Sequence, residues 1–286
     1  MILRPLRPTA ADAEAVRTVT AAAFVDLDTR PWPPGRIDRH HRRALHLAER
    51  DPDGCWIAED AQGRPVGTVL ASIREGTWGL SLLAVGREAQ GEGVGKALLT
   101  RALEYGRGCL RGVICSSDHP AAVRAYRAAG CDLHPAMRLT GEVRHAGLAA
   151  PDGPVAPGGP DRFDLLDSVD RRLRGGARGS DHHELLRHFR LLVCDDLAGS
   201  GYCYYSPDGG IELLAATSRR LATRLLTTAL LGMDDGAEVE ATGLTAEQQW
   251  AVDVGLAAGL RVSAGGFVCL RGMRPPTPYV PSGAYL

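Results

Sequence analysis

An α/β protein built from two similar units is the fold this sequence predicts, and three observations predict it. Strand-like and helix-like stretches alternate through the first half. The same order returns in the second half. Between them lies AGLAAPDGPVAPGGP, residues 146–160, a stretch rich in Ala, Pro and Gly that reads as a linker. At roughly 150 residues per domain, the 286 residues also suggest about two domains.

Each element of the first half has a local reason. Ile2 to Leu6 reads as a strand. Thr9 is placed to cap a helix from Ala10 to about Phe24, with Asp12 and Glu14 suited to its positive end. Pro31 to Gly35 reads as a loop, and Arg36 to Arg50 as a basic amphipathic helix. Cys55 to Glu59 and Val66 to Ile73 are strands joined by a turn at Asp60 to Gly63, and Trp78 to Val85 is a third strand. A glycine-bearing loop, Gly86 to Gly95, leads to a helix from Lys96 to Tyr105 with Ala97, Leu98, Leu99, Ala102 and Leu103 on its apolar side. Arg111 to Ser116 is a strand, His119 to Ala129 a helix stopped by Gly130, and Met137 to Val143 a last strand.

In the second half, helical patterns run over Asp161 to Leu173 and Asp181 to His188. Strands follow at Arg190 to Cys194, Gly201 to Tyr205 and Ile211 to Ala215. Then come a helix over Arg219 to Leu231, a strand over Glu238 to Thr242, a helix from Ala246 to Ala258 ending near Gly259, and a final strand within Arg261 to Arg271. Pro275 to Leu286 is Pro-rich and irregular.

Composition narrows the function classes. With 33 Lys+Arg against 34 Asp+Glu, no global basic field draws the chain to nucleic acid or an anionic membrane. No apolar window approaches the roughly 18 residues that span a bilayer, and the first residues lack the apolar core of a signal peptide. The seven cysteines are odd in number and form no C-x-x-C pair, which argues against a disulfide framework or a structural zinc. Reduced thiols in a cytoplasmic protein are the expectation.

The chemistry concentrates in Val85-Gly86-Arg87-Glu88-Ala89-Gln90-Gly91-Glu92-Gly93-Val94-Gly95-Lys96. Here a strand passes through a glycine turn into a helix. Glycines at 91, 93 and 95 let the backbone turn tightly and bring N–H groups to a ligand, and the helix adds its own unpaired N–H groups and positive end. This is an anion site suited to a pyrophosphate. The dinucleotide fingerprint does not fit, because the spacing is G-x-G-x-G; the nucleotide P-loop does not fit either, because Ala97 follows Lys96. Lys96 is also the only lysine in the chain.

The segment resembles the acyl-CoA-binding motif of the GNAT superfamily of acyl-CoA-dependent N-acyltransferases. The family pattern Gln/Arg-x-x-Gly-x-Gly/Ala is met by Gln90-Gly91-Glu92-Gly93-Val94-Gly95. The resemblance implies that backbone N–H groups from Gly91 through Glu92, Gly93, Val94 and Gly95 to Lys96 hold the CoA pyrophosphate. It implies that the preceding strand pairs with the pantetheine arm through Leu83 and Val85. A second match, His119-Pro120-Ala121-Ala122-Val123-Arg124-Ala125-Tyr126-Arg127-Ala128-Ala129-Gly130, is similar to the family's Asn-x-x-Ala-x-x-x-Tyr-x-x-x-Gly. Tyr126 then takes the place of the general acid that protonates the departing CoA thiolate. His119 replaces the usual Asn, and its expected contact is with pantetheine. The implied fold is a pair of GNAT-like units, each a mixed, mostly antiparallel twisted sheet flanked by helices.

Laid over the first half, the second places Gly255 opposite Tyr126, and Ala216-Thr217-Ser218-Arg219-Arg220 where the glycine loop should be. Both chemical features are missing there. The resulting division is an acyl-CoA-binding and catalytic unit over 1–145, the linker 146–160, and a degenerate GNAT-like unit over 161–286 with a Pro-rich tail. The expected reaction moves an acyl group, acetyl above all, from acyl-CoA to a primary amine of a small molecule by direct attack, with no metal. Cys115 and Cys131 are not needed as nucleophiles. A non-catalytic acyl-CoA sensor, or an acyltransferase fed by an acyl carrier protein, is the alternative. The base that frees the amine is open among Glu75, Asp118, His119, His40, His41 and the Leu286 carboxylate, since the tail is apolar enough to fold back. Asp181-His182-His183-Glu184 reads as a solvated helix start capped by Ser180, because neighbouring helical residues diverge.

Overall fold

The computed structural model describes residues 1–24 and 32–286, so Pro31 of the expected loop lies outside the described residues. The chain divides into two compact units, residues 1–112 together with Leu286, and residues 113–285. Among the described residues no helix is long and apolar enough to cross a membrane.

The first unit holds β1 (Ile2–Pro5), α1 (Ala10–Ala23), α2 (Pro34–Arg50), β2 (Cys55–Glu59), β3 (Pro65–Arg74), β4 (Thr77–Val85) and α3 (Val94–Tyr105). Its strands are ordered β1-β2-β3-β4, and each neighbouring pair is antiparallel. Thr9 caps α1 as expected, its hydroxyl accepting from the Asp12 N–H at 3.3 Å. α2 starts two residues earlier than expected, at Pro34. Proline suits a helix's first turn because its missing N–H would be unsatisfied there anyway. The apolar faces of α1 and α2 close on the sheet through Val16, Val19, Leu47, Ile57 and Leu70.

One buried carboxylate gathers three element ends in this unit. Asp51, just after α2, is 1% exposed. It accepts from the Ile73 N–H (2.9 Å) and the Tyr105 hydroxyl (2.9 Å), and pairs with the Arg74 guanidinium at 2.9 Å. The ends of α2, β3 and α3 therefore meet at one charge.

The second unit starts within β5 (Arg111–Ser116) and continues with α4 (Pro120–Ala128), β6 (Asp132–Glu142), β7 (Ala156–Pro157), α5 (Phe163–Arg174) and α6 (Asp181–His188). Then follow β8 (Arg190–Asp196), β9 (Gly199–Tyr205), β10 (Gly210–Ala216), α7 (Arg219–Leu231), β11 (Glu238–Leu244), α8 (Gln249–Ala257), β12 (Arg261–Arg271) and β13 (Tyr279–Val280). The strand order is β5-β12-β6-β11-β10-β9-β8-β7, with β13 added to β10. β10 and β11 run parallel, while β6 is antiparallel to both β11 and β12. The sheets are thus mixed and mostly antiparallel, flanked by helices, as the sequence predicts.

Helices cover both faces of this second sheet. Along β9 the side chains alternate: Cys203 and Tyr205 enter the core under α7 and α8, and Tyr202 and Tyr204 enter the core under α5 and α6. The division of the chain falls at Gly112/Val113 because of β6. By sequence this strand ends the first repeat, yet both of its edges pair with strands of the second, Leu139 facing Ala241 on one side and Val262 on the other.

Residues 146–160 are docked rather than loose. Asp152 accepts from Arg224 Nε at 2.7 Å and from Arg220, Ala156 and Pro157 pair with β8, and the Gly158 N–H reaches the Leu191 carbonyl at 2.8 Å. These ion pairs and backbone bonds hold the stretch in place. The start of α6 also differs from expectation. Ser180 has helical φ and ψ and makes no capping bond, and Asp181 and His182 are fully buried, because α6 packs this end against β9 instead of presenting it to water.

Replacing Asp51 with Ala removes the buried carboxylate shared by the Arg74 guanidinium, the Ile73 N–H and the Tyr105 hydroxyl. The expected loss is about 3–5 kcal/mol of stability, read as a fall in thermal midpoint of about 10 °C or more. Asp51→Asn, which keeps the acceptor, should lose less.

Candidate active site

The segment from β4 to α3 gathers open backbone N–H groups in one loop. β3 and β4 pair regularly from Gly67/Val85 to Leu70/Leu82, then step to Ala71/Leu80, so Ser81 is the extra residue of a β-bulge. Such bulges bend a strand and re-aim its groups, and no sequence signal announced this one. Leu83 and Val85, beyond the bulge, stand opposite Val69 and Gly67. Past β4, the Gly86 N–H closes on the Val66 carbonyl (2.9 Å), and the Gln90 side-chain amide donates back to the Val85 carbonyl at 3.0 Å. Gln90 thus staples the loop to the strand it leaves, a task that a side chain with an N–H can perform.

Gly91 and Gly93 have φ of +86° and +82°, in the left-handed region. A Cβ at either position would meet nothing within 4 Å. These glycines are therefore required by backbone conformation, not by crowding, and their open side faces outward. Gly93 is also the N-cap of α3 and provides no capping side chain, and no acidic residue occupies the first turn. The first backbone bond of the helix runs from the Ala97 N–H to the Gly93 carbonyl at 3.0 Å. The N–H groups of Gly91, Glu92, Gly93, Val94, Gly95 and Lys96 find no acceptor of hydrogen-bond geometry among the described residues. Alternating left-handed residues at a helix start make a concave nest of N–H groups that suits a phosphate-type anion. Gly95 is different: it is helical, and a Cβ there would touch Val85 at an ordinary 3.5 Å. Lys96 is exposed.

Tyr126 and His119 stand on α4, in the second unit. Tyr126 is 6% exposed, and its hydroxyl makes no hydrogen bond among the described residues. Burial, aided by the neighbouring Cys269 and Cys131, holds its pKa well above the usual phenol range. His119 caps α4: its Nδ1 accepts from the Ala121 N–H at 3.3 Å, which an Asn in that place would also do. Burial likewise pushes the Cys115 thiol up to about 12 and raises that of Cys131, so both are held as thiols, the unreactive form.

The base candidates are scattered. His40 is buried against Trp32, and burial with nearby Arg43 and His41 pushes its pKa down to about 2, too weak to take a proton from an ammonium. His41 Nε2 lies 2.8 Å from Glu14. Glu75 (φ +43°) sits exposed on the turn between β3 and β4, and Asp118 is exposed before α4. Leu286 is buried against β4, where a Cβ on Gly79 would come within 2.8 Å of its own.

A cluster unforeseen from sequence lies under α5 and α6. Asp167, Asp170 and His182 bring ligand atoms within 4.8 Å of one another. Asp170 Oδ1 already takes the Arg178 guanidinium and the Tyr202 hydroxyl, both at 2.5 Å, and the Tyr204 hydroxyl meets His182 Nδ1 at 3.2 Å. Arg178 fills the cationic role there. Burial alone would lower the pKa of His182, but Asp167 and Asp170 outweigh it and raise the value. The signal in the sequence was the three-residue spacing of Asp167 and Asp170, which puts both on one helical face.

Two outcomes follow from this geometry. With CoA as the expected ligand of this loop, Gly93→Val should lower its affinity in calorimetry at least tenfold, because it strains a left-handed residue and covers the N–H nest, whereas Gly95→Ala should bind within about threefold of wild type. The raised pKa of His182 gives stability that is complete below the unfolded value near 6.5 and is lost as pH rises through the folded value. Thermal midpoints should therefore fall above pH 6.5 in wild type relative to His182→Gln, which lacks that slope.

The acetyltransferase (GNAT) family model matches residues 21–131. A Pyrococcus horikoshii protein described as an acetyltransferase superposes with a TM-score of 0.79 at 19% identity, over 100% of this chain and 95% of that one. A GCN5-related N-acetyltransferase from Sphaerobacter thermophilus gives 0.60 at 15% identity, over 96% of each chain. A tandem GNAT protein from the clavulanic acid biosynthesis pathway gives 0.59 at 14% identity, over 96% of this chain and 99% of that one. No curated protein matches the sequence. Residues 21–131, the part of the chain that resembles the acetyltransferase (GNAT) family, contain both the glycine loop and Tyr126, and the solved structures show that the whole chain shares their fold.

Proposed function

We propose that the protein is an N-acetyltransferase that moves the acetyl group of acetyl-CoA to a primary amine of a small molecule. The observation that carries this reading is the run of six backbone N–H groups, Gly91 to Lys96, held without acceptors by two left-handed glycines. That run suits the CoA pyrophosphate, and Leu83 and Val85 on β4 offer the strand for the pantetheine arm. Residues 1–145 form the working repeat in this reading, 146–160 connect, and 161–286 are its counterpart without glycine loop or tyrosine.

The chemistry is direct transfer. The neutral amine attacks the thioester carbonyl, and a tetrahedral intermediate forms. Its collapse breaks the carbon–sulfur bond, and the CoA thiolate leaves. Tyr126 gives that sulfur its proton and regains one through solvent, as the attacking nitrogen releases its extra proton to water to leave the amide. A phenol held protonated by burial is suited to this, because it keeps its proton across the whole range in which an amine becomes neutral. The two inert thiols leave no place for an acyl-cysteine intermediate at Cys115 or Cys131.

The test is release of free thiol from acetyl-CoA with a panel of amines, aminoglycosides, amino acids and peptides, beside calorimetric CoA binding. Tyr126→Phe should lower kcat by about 100-fold or more, the usual worth of a positioned acid, and leave the Kd for CoA within about twofold. For wild type, kcat/KM should climb with pH as the amine loses its proton, with no alkaline fall before pH 10. CoA binding without turnover on any acceptor would favour an acyl-CoA sensor.

A further inference from the structure

The second repeat lacks a glycine loop, but its strand β10 is not left bare where β4 is proposed to take pantetheine. β10 pairs in parallel with β11 only at its start, Gly210 with Glu240 and Ile211 with Ala241. Farther along, β10 turns instead to β13 of the tail, antiparallel, with Leu214 facing Val280 and Ala215 facing Tyr279. The Ala216 N–H extends this pairing to the Pro278 carbonyl at 3.4 Å.

The other side of the inserted segment is equally well met. Gln248 acts as a stand-in for a strand edge: its Oε1 accepts the Tyr279 N–H at 3.0 Å and its Nε2 donates to the Pro276 carbonyl at 2.8 Å. Gly243, at φ +73°, lets Pro281 lie directly on β11. Arg178 donates to the Tyr279 hydroxyl and to the Tyr285 carbonyl (3.0 Å), and Ser282 Oγ accepts the Tyr285 N–H at 2.9 Å. Val280 and Ser282 are fully buried.

We infer that the second repeat carries a peptide-binding slot of the strand-addition type, filled in cis by residues 276–281. The ligand class is an extended, proline-flanked segment with an aromatic and a β-branched residue in succession. The tail occupies on β10 the place that acyl-CoA is proposed to take on β4, and so closes the second repeat to the cofactor. The assignment of that place rests on the tandem reading above; the slot itself does not. In strand addition the backbone supplies affinity and side-chain pockets supply selection. Here the selecting contacts are Val280 in the core and Tyr279 on Arg178.

The experiment compares the full chain with a chain ending at Arg274, and adds a synthetic peptide of residues 275–286. The shortened chain should melt at least 5 °C lower and bind the peptide at one saturable site, with recovery of the midpoint. A Val280→Asp peptide should bind at least tenfold more weakly. An unchanged midpoint without peptide binding would overturn the slot. Should the shortened chain fail to fold, Gln248→Ala in the full chain decides: amide exchange at Tyr279 should accelerate at least tenfold while β9 stays protected, and unchanged exchange would overturn the inference. CoA titration of the full-length Gly93→Val variant tests the closure. Binding weakened at least tenfold is expected, and one CoA bound at wild-type affinity there would show the second repeat open to cofactor. Absence of CoA binding by wild type would sink the acetyl-CoA reading alone, since the peptide result stands apart from it.

Discussion

The pairing of β6 on both of its edges governs how this chain is put together. An 11-residue strand that closes the first sequence repeat finds its partners in β11 and β12, strands of the second. Its β12 edge is paired along most of its length, from Asp132 to Thr140, and its β11 edge over Met137 to Glu142, which fixes the strand within the second sheet. The side chains obey the same arrangement, since Leu139 of β6 packs over Gly255 of α8, where any larger residue would collide with it. The position opposite Tyr126 in the repeat is thus a glycine for packing reasons.

This arrangement also accounts for what could be read from the sequence and what could not. Individual elements were legible because their causes are local. Thr9 before a helix, Gly130 after one, and the aromatic-rich run Gly201 to Tyr205 each announce themselves within a few residues. The glycine loop was legible for the same reason: conformation at Gly91 and Gly93 is a property of those residues. Strand partners are not local. Nothing in residues 132–142 tells which strands will flank them, so the compact units could not be placed from composition, and the linker-like stretch near 150 was the natural but different landmark.

Burial of polar groups was illegible for a related reason. Asp181-His182-His183-Glu184 looks like a solvated helix start, and the pattern of α6 alone supports that. Its burial comes from tyrosines two strands away in neither sequence nor pattern, together with an arginine that neutralises Asp170 from the loop before α6. A buried charge is tolerable only when its partners arrive from elsewhere in the fold, and partners of that kind leave no trace in a local window. The bulge at Ser81 belongs to the same class, since a bulge is a relation between two strands.

The two repeats answer one physical problem in opposite ways at the same point. A helix start leaves N–H groups unsatisfied, and they must find acceptors. At α7 the chain satisfies its own: Ser218 sits in extended conformation and its hydroxyl accepts the Leu221 N–H at 3.4 Å. A serine cap of this kind is worth about 1 kcal/mol. At α3 the cap is Gly93, with no side chain to offer, and the preceding glycines keep further N–H groups from turning inward. That end keeps its N–H groups open, which suits the anion proposed for it. A helix start cannot be both self-capped and open to pyrophosphate. Ser218 gives α7 the self-satisfied end, and Gly93 leaves α3 with the open one.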